Sequence, residues 1–136
     1  MEITVSRKAH FNAAHRLYNK NWSEEQNSKV FGKCNYPNYH GHNYELIVSV
    51  TGKINPDTGY VIDMGELKRI IKIEIEERLD HKNLNLDVPY FSNVIPSAEN
   101  ICVYIYGILR KNIKKELNLS VKLYETPRNF VEYSGN

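Results

Sequence analysis

Cys34, His40 and His42 fall within nine residues, inside the run F-G-K-C-N-Y-P-N-Y-H-G-H-N-Y from Phe31 to Tyr44. No other stretch is so dense in groups that bind metals or move protons. On an extended backbone, side chains at i and i+2 leave the same face. His40 and His42, separated by Gly41, would then present two co-facial imidazoles, half of a zinc site. A catalytic zinc ion takes three protein ligands and keeps one position open. His10, His15 and His81 are the candidates for the third. His10 and His15 are five apart and face opposite ways on a regular strand, so parity leaves the choice open. His15 is the more economical, at the end of a strand able to pair with the one carrying His40.

Cys34 has two readings. As a fourth ligand it would close the site and make the zinc structural. As a free thiol near a cation it would act as base or nucleophile, and Lys33 beside it favours the thiolate. Asp80-His81 follows a helical pattern. It resembles a relay in which a carboxylate orients a proton-moving imidazole, but taken alone it reads more readily as a helix-end histidine favoured by the dipole, with Asp80 a surface residue. Glu125, between Tyr124 and Thr126, is either an inward carboxylate with a partner or a solvated one. Cys102 sits among Ile101, Val103 and Ile105 and reads as a buried core thiol.

These groups need elements to hold them. Ile3 to Leu17 alternates as a strand, and His40 to Ile54 is a second, with Leu46, Val48 and Val50 on the parity of His40 and His42. Between them runs a long polar loop, Tyr18 to Tyr39, in which Ser23-Glu24-Glu25-Gln26 can open a short helix. Asn55 to Gly59 is a turn. Asp63 caps a first helix, with Glu66 as capping-box partner and Leu67, Ile71, Ile75 and Leu79 as its apolar stripe. Asp80 to Asn83 is the exit from that helix. Ser97 caps a second helix carrying Ile101, Ile105, Ile108 and Leu109 inward. Ser120 to Thr126 and Phe130 to Tyr133 are the last strands, joined by a turn at Pro127-Arg128-Asn129. The order β-β-α-α-β-β predicts an α+β fold, a four-stranded antiparallel sheet with two helices on one face. Long strands with open edges favour an oligomer that joins sheets edge to edge.

The 136 residues are expected to form one domain, residues 1–136. The net charge of +2 gives no basis for a nucleic-acid partner, and the lysines from Lys111 to Lys115 read as a solvated helix end. No apolar run approaches the roughly 20 residues of a membrane span, and two cysteines make no disulfide framework. A cytoplasmic, reduced setting is the expectation, with Cys34 free for chemistry.

Taken together, the motifs resemble the 6-pyruvoyltetrahydropterin synthase family, within the tunnelling-fold group of pterin- and purine-handling enzymes. The likeness runs from F-N-A-A-H-R-L at Phe11 to Leu17, through the Phe31 to Tyr44 run, to T-G-Y-V-I-D-M, L-D-H-K-N-L-N-L-D-V-P-Y-F, S-A-E-N-I and L-Y-E-T. The resemblance implies His15, His40 and His42 as zinc ligands, Cys34 as general base, and Asp80 and His81 as its proton relay. It implies Glu125 as the anchor of a pterin ring and as a member of the relay, with Ser97 and Glu99 helping to hold the pterin. The family often has threonines where this chain has Ser97 and Ala98. The implied reaction is conversion of 7,8-dihydroneopterin triphosphate to 6-pyruvoyltetrahydropterin, in tetrahydrobiopterin biosynthesis, with loss of triphosphate and no external reductant. The implied assembly is a hexamer of two stacked trimers whose sheets close into a barrel, with sites between subunits. A bacterial relative, 6-carboxytetrahydropterin synthase, takes the same substrate, releases acetaldehyde and serves queuosine biosynthesis. It typically has fewer residues between the cysteine and H-G-H. The five residues from Asn35 to Tyr39 favour the pyruvoyl product here. The alternative from another class is a non-catalytic, zinc-stabilised oligomer with Cys34 as fourth ligand.

Overall fold

A computed structural model describes all residues, Met1–Asn136. Its scaffold is a hairpin of two fourteen-residue strands, β1 (Glu2–His15) and β2 (His40–Lys53). They pair antiparallel throughout, from Glu2 opposite Lys53 to His15 opposite His40. Alternation along each strand sorts the residues. Phe11, Ala13 and His15 of β1 and Tyr44, Leu46, Val48 and Val50 of β2 are buried on one face. His10, Asn12, Asn43 and Glu45 are exposed on the other. β4 (Asn118–Tyr124) pairs with β2, and β5 (Phe130–Tyr133) forms a hairpin with β4.

The sheet differs from the expected four antiparallel strands. It has five strands in the order β3-β1-β2-β4-β5, and β3 (Lys82–Asn83) runs parallel to β1 at Ala13 and Ala14. Two residues are too few to show any periodicity. The strand exists because His81 takes a left-handed φ of 63° and donates its N–H to the Asn12 carbonyl at 2.6 Å, which turns the chain alongside β1. Two strand ends also move. Arg16 leaves β1 because the Asn85 side-chain amide takes both its N–H and its carbonyl. β4 stops at Tyr124 because the Glu125 and Thr126 N–H groups turn to the Asn129 carbonyl.

The helices that follow β2 cover the buried face, and one short helix lies in the β1–β2 connection. Ser23 caps α1 (Glu24–Phe31) by accepting from the Gln26 N–H, as its sequence predicts, and a 3-10 turn (Gly32–Asn35) follows. Asp63 caps α2 (Met64–Ile71) by accepting from the Gly65 N–H. Glu66 does not close the expected capping box; it forms a forked pair with Arg69 at 2.6 and 3.0 Å. α2 continues through a π-helical stretch (Lys72–Glu76) into a last turn, α3 (Glu77–Leu79). The stripe Leu67, Ile71, Ile75, Leu79 explains that stretch. Steps of four residues over-rotate an α-helix by about 40° each, and the wider i→i+5 turn takes the drift back. All four side chains are consequently buried. α4 (Leu84–Asp87) is a single turn, and α5 (Ala98–Asn112) is capped by Ser97 and buries Ile101, Cys102, Ile105 and Leu109. Helices and sheet share one hydrophobic core of 22 buried residues. Each buried Leu or Ile adds roughly 1.5–3 kcal/mol. No helix is long and apolar enough to cross a membrane.

Candidate active site

Register assembles the first half of the site. His15 lies directly opposite His40, and His42 is two residues further along β2 on the same face. Their ring nitrogens converge so that one ligand atom from each lies within 4.8 Å of the others. Parity in sequence left His10 and His15 open, and the pairing decides it: His15 is fully buried and His10 faces out. His15 Nδ1 is 2.7 Å from the Pro96 carbonyl. A carbonyl only accepts, so Nδ1 carries the proton and Nε2 offers its lone pair to the cluster. Tyr44, fully buried one step further along β2, sets its hydroxyl 3.3 Å from the same Nδ1.

The cluster suits a cation. His15 Nε2 and His40 Nε2 are 3.0 Å apart. Two lone pairs so close repel unless a proton or a metal ion stands between them. Protons are disfavoured here. Burial pulls the His15 imidazole from 6.5 to about 4, its Pro96 bond opposing this and His40 and His42 adding to it. Burial lowers His40 too, with His42 adding to the effect and Glu125 opposing it. Three imidazoles whose ring nitrogens converge in this way can hold a divalent metal. The depressed His15 value has a consequence for the metal-free protein. The unfolded chain binds a proton near pH 6.5 and the folded one only near 4, so stability falls on acidification between those values. The slope is about 1.4 kcal/mol per pH unit from this group. Urea unfolding of the metal-free protein at pH 7, 6 and 5 should show that decline.

Other groups surround the imidazoles. Glu125 Oε2 is 3.9 Å from His15 Nε2, and the side chain is about a quarter exposed, so the inward reading of this carboxylate holds. Cys34 lies half-buried in the 3-10 turn, its carbonyl accepting from the Leu17 N–H at 2.8 Å. Burial raises the Tyr44 hydroxyl pKa, and the charges of Glu125 and Cys34 raise it further. Cys34 is not among the donors that converge on the metal position. Ser97 caps α5 with its hydroxyl, next to Pro96, and Glu99 is exposed in the first turn of that helix.

Asp80 and His81 stand apart from this group within the chain. Asp80 Oδ2 is 2.9 Å from His81 Nδ1, and Asp80 Oδ1 accepts from the Asn12 N–H at 2.8 Å. That backbone bond, with the His81 bond adding to it, holds the Asp80 carboxyl below its usual range. The pair is therefore a carboxylate-oriented imidazole, as the sequence suggests. His81 opens onto a cavity of about 530 Å³ lined also by Asn12, Ala13, Ala14, Gly41, His42 and Asn43. Asn12, Ala14, Gly41 and Asn43 have the parity opposite to the imidazoles, which sets most of the strand lining on the outer face of the sheet.

Two contributors were missed in the sequence. Tyr44 had a usable signal, since it shares the parity of His40 and His42. The Pro96 carbonyl had none, because a backbone group that orients a ligand leaves no residue-type signature.

The family model described as 6-pyruvoyl tetrahydropterin synthase matches residues 4–136. The human 6-pyruvoyl tetrahydrobiopterin synthase is 50% identical over 134 residues, covering 98% of this chain and 92% of its own. The solved Caenorhabditis elegans 6-pyruvoyl tetrahydropterin synthase superposes with a TM-score of 0.94 at 35% identity, covering 100% of this chain and 97% of that one. A more distant relative, 6-carboxy-5,6,7,8-tetrahydropterin synthase of Rickettsia conorii, is 30% identical over 148 residues, covering 96% of this chain and 99% of its own. In sequence and in fold, this chain belongs to the 6-pyruvoyl tetrahydropterin synthase family.

Proposed function

We propose that this chain is a carbon–oxygen lyase that converts 7,8-dihydroneopterin triphosphate to 6-pyruvoyltetrahydropterin with loss of triphosphate. The observation that carries the reading is the convergence of His15, His40 and His42 within 4.8 Å in a chain of this family. We assign the metal as zinc, which three imidazoles and an open position suit. Bound there, zinc would supply Lewis acidity to the hydroxyls of the substrate side chain.

The chain's own residues do the rest. Cys34, as thiolate, takes a proton from the side-chain carbon, which moves unsaturation out of the pterin ring. His81, oriented by Asp80, exchanges that proton with the base, so that one group both removes and returns it near neutral pH. Glu125 accepts hydrogen bonds from the amino and ring N–H groups of the pterin, with Ser97 and Glu99 beside it at the start of α5. In this reading Asp80 and His81 meet Cys34 of another copy, and their place beside the outer-face residues Asn12 and Ala14 supports it. The working unit in this reading is an oligomer with sites between subunits, a hexamer of two trimers.

Identity of 50% to a pyruvoyl-forming relative against 30% to a carboxy-forming one supports the pyruvoyl product. Incubating the zinc-loaded protein with 7,8-dihydroneopterin triphosphate and identifying the pterin by mass spectrometry tests it. A pyruvoyl pterin and free triphosphate are expected. Acetaldehyde with a carboxypterin would move the chain to the other product, and no turnover would refute both.

A further inference from the structure

Three consecutive residues at the end of β1 tie the metal position to the cysteine turn. His15 points its Nε2 into the imidazole cluster. Leu17 donates its N–H to the Cys34 carbonyl at 2.8 Å. Between them, Arg16 reaches the residue after Cys34 with two guanidinium bonds, Nε to the Asn35 carbonyl at 2.7 Å and Nη2 to Asn35 Oδ1 at 3.1 Å. Asn35 is 7% exposed, a buried polar side chain in a turn otherwise half open to solvent. Its amide continues to Ser28 Oγ in α1.

Arg16 is itself immobilised. Asn85 Oδ1 accepts from its N–H at 2.8 Å and Asn85 Nδ2 donates to its carbonyl at 2.9 Å. Its guanidinium lies over the Tyr18 ring, 4.4 Å from the centroid. The planar fork and the stacking are properties of arginine that lysine lacks. Neither carboxylate near the imidazoles nor any ion pair uses this guanidinium, so its charge is committed to backbone and amide oxygens. A salt-bridge role is thereby set aside.

We infer that Arg16 and Asn35 form a clamp that fixes Cys34 at its working distance from the metal ligands, making Arg16 a positioning residue for the base. The inference rests on Cys34 being that base. The clamp acts on geometry at the reacting carbon and touches neither the metal donors nor Glu125, so it sets kcat and leaves substrate binding alone. A base displaced by an ångström costs on the order of a hundredfold in rate.

The test is steady-state kinetics on zinc-loaded Arg16→Lys, Asn35→Ala and the double variant, with 7,8-dihydroneopterin triphosphate as substrate. Each single variant should lose about tenfold or more in kcat while KM stays within about threefold, with zinc content and melting temperature near those of the parent. The double variant should lose no more than the worse single, because both changes release one clamp. Unchanged kcat in both singles, multiplying losses, or kcat falling together with zinc content would overturn the proposal. Cys34→Ala run alongside separates the two levels. Full turnover there removes the base assignment and the clamp with it. Lost turnover there with unchanged kcat in both single variants removes the clamp alone.

Discussion

Cys34→Ala is expected to fold, to keep its metal, and to turn over at least about a hundredfold more slowly, the lower range for removing a general base. The structure separates these three outcomes. The turn that carries Cys34 is held by the Leu17 N–H on its carbonyl and by Arg16 on Asn35, so losing the thiol leaves those bonds in place. The residue is half-buried and lies outside the hydrophobic core, which limits the cost of truncation. The metal position is defined by His15, His40 and His42 without sulfur. Kinetics, metal analysis and a melting curve on one preparation check all three. A variant that loses zinc along with activity would make Cys34 a fourth ligand and the metal structural.

Removing the metal should have a comparable effect on rate and a small one on fold. Chelation, or His42→Ala, is expected to lower turnover by at least about a thousandfold, given the several kcal/mol that a Lewis-acid metal supplies. The far-UV circular dichroism should stay that of a folded protein. The reason is where the cluster sits. His42 is half-buried at the end of the hairpin, while Leu46, Val48 and Val50 continue the same face into the core. The 22 core residues and the pairing of β1 with β2, β2 with β4 and β4 with β5 draw on apolar burial and backbone hydrogen bonds, and none of the three histidines belongs to that core. A non-catalytic, zinc-stabilised protein predicts the reverse, collapse on chelation. Zinc added back should restore turnover to the chelated protein and not to His42→Ala.

Much of this was legible in the residues, and the gaps have definite causes. The inward parity of His40, His42, Leu46, Val48 and Val50 could be read directly, because alternation needs no partner strand. The choice between His10 and His15 could not, because β1 alternates less sharply and only its pairing with β2 names the inner face. Ser23, Asp63 and Ser97 announced their helices, each by a local bond within three residues. The Glu66 capping box failed because Arg69, three residues on, offered a forked ionic partner instead. β3 was invisible, being created by one tertiary hydrogen bond from His81. Asp80-His81 was legible as a pair, whereas its place on the outer face followed from that same bond.

The unbroken register of the β1–β2 hairpin has a consequence for misfolding. Fourteen consecutive pairs bring His15 and His40 together at the far end. A slip of one residue would set His15 opposite Gly41 and send His40 and His42 to the other side of the sheet from it. A mispaired chain could retain much of its hydrogen bonding and still offer the metal no three-donor site. The three-donor site therefore exists only in the native register. The stoichiometry of bound metal in a refolded sample counts the chains that found the native pairing, including cases where circular dichroism would score every chain as folded.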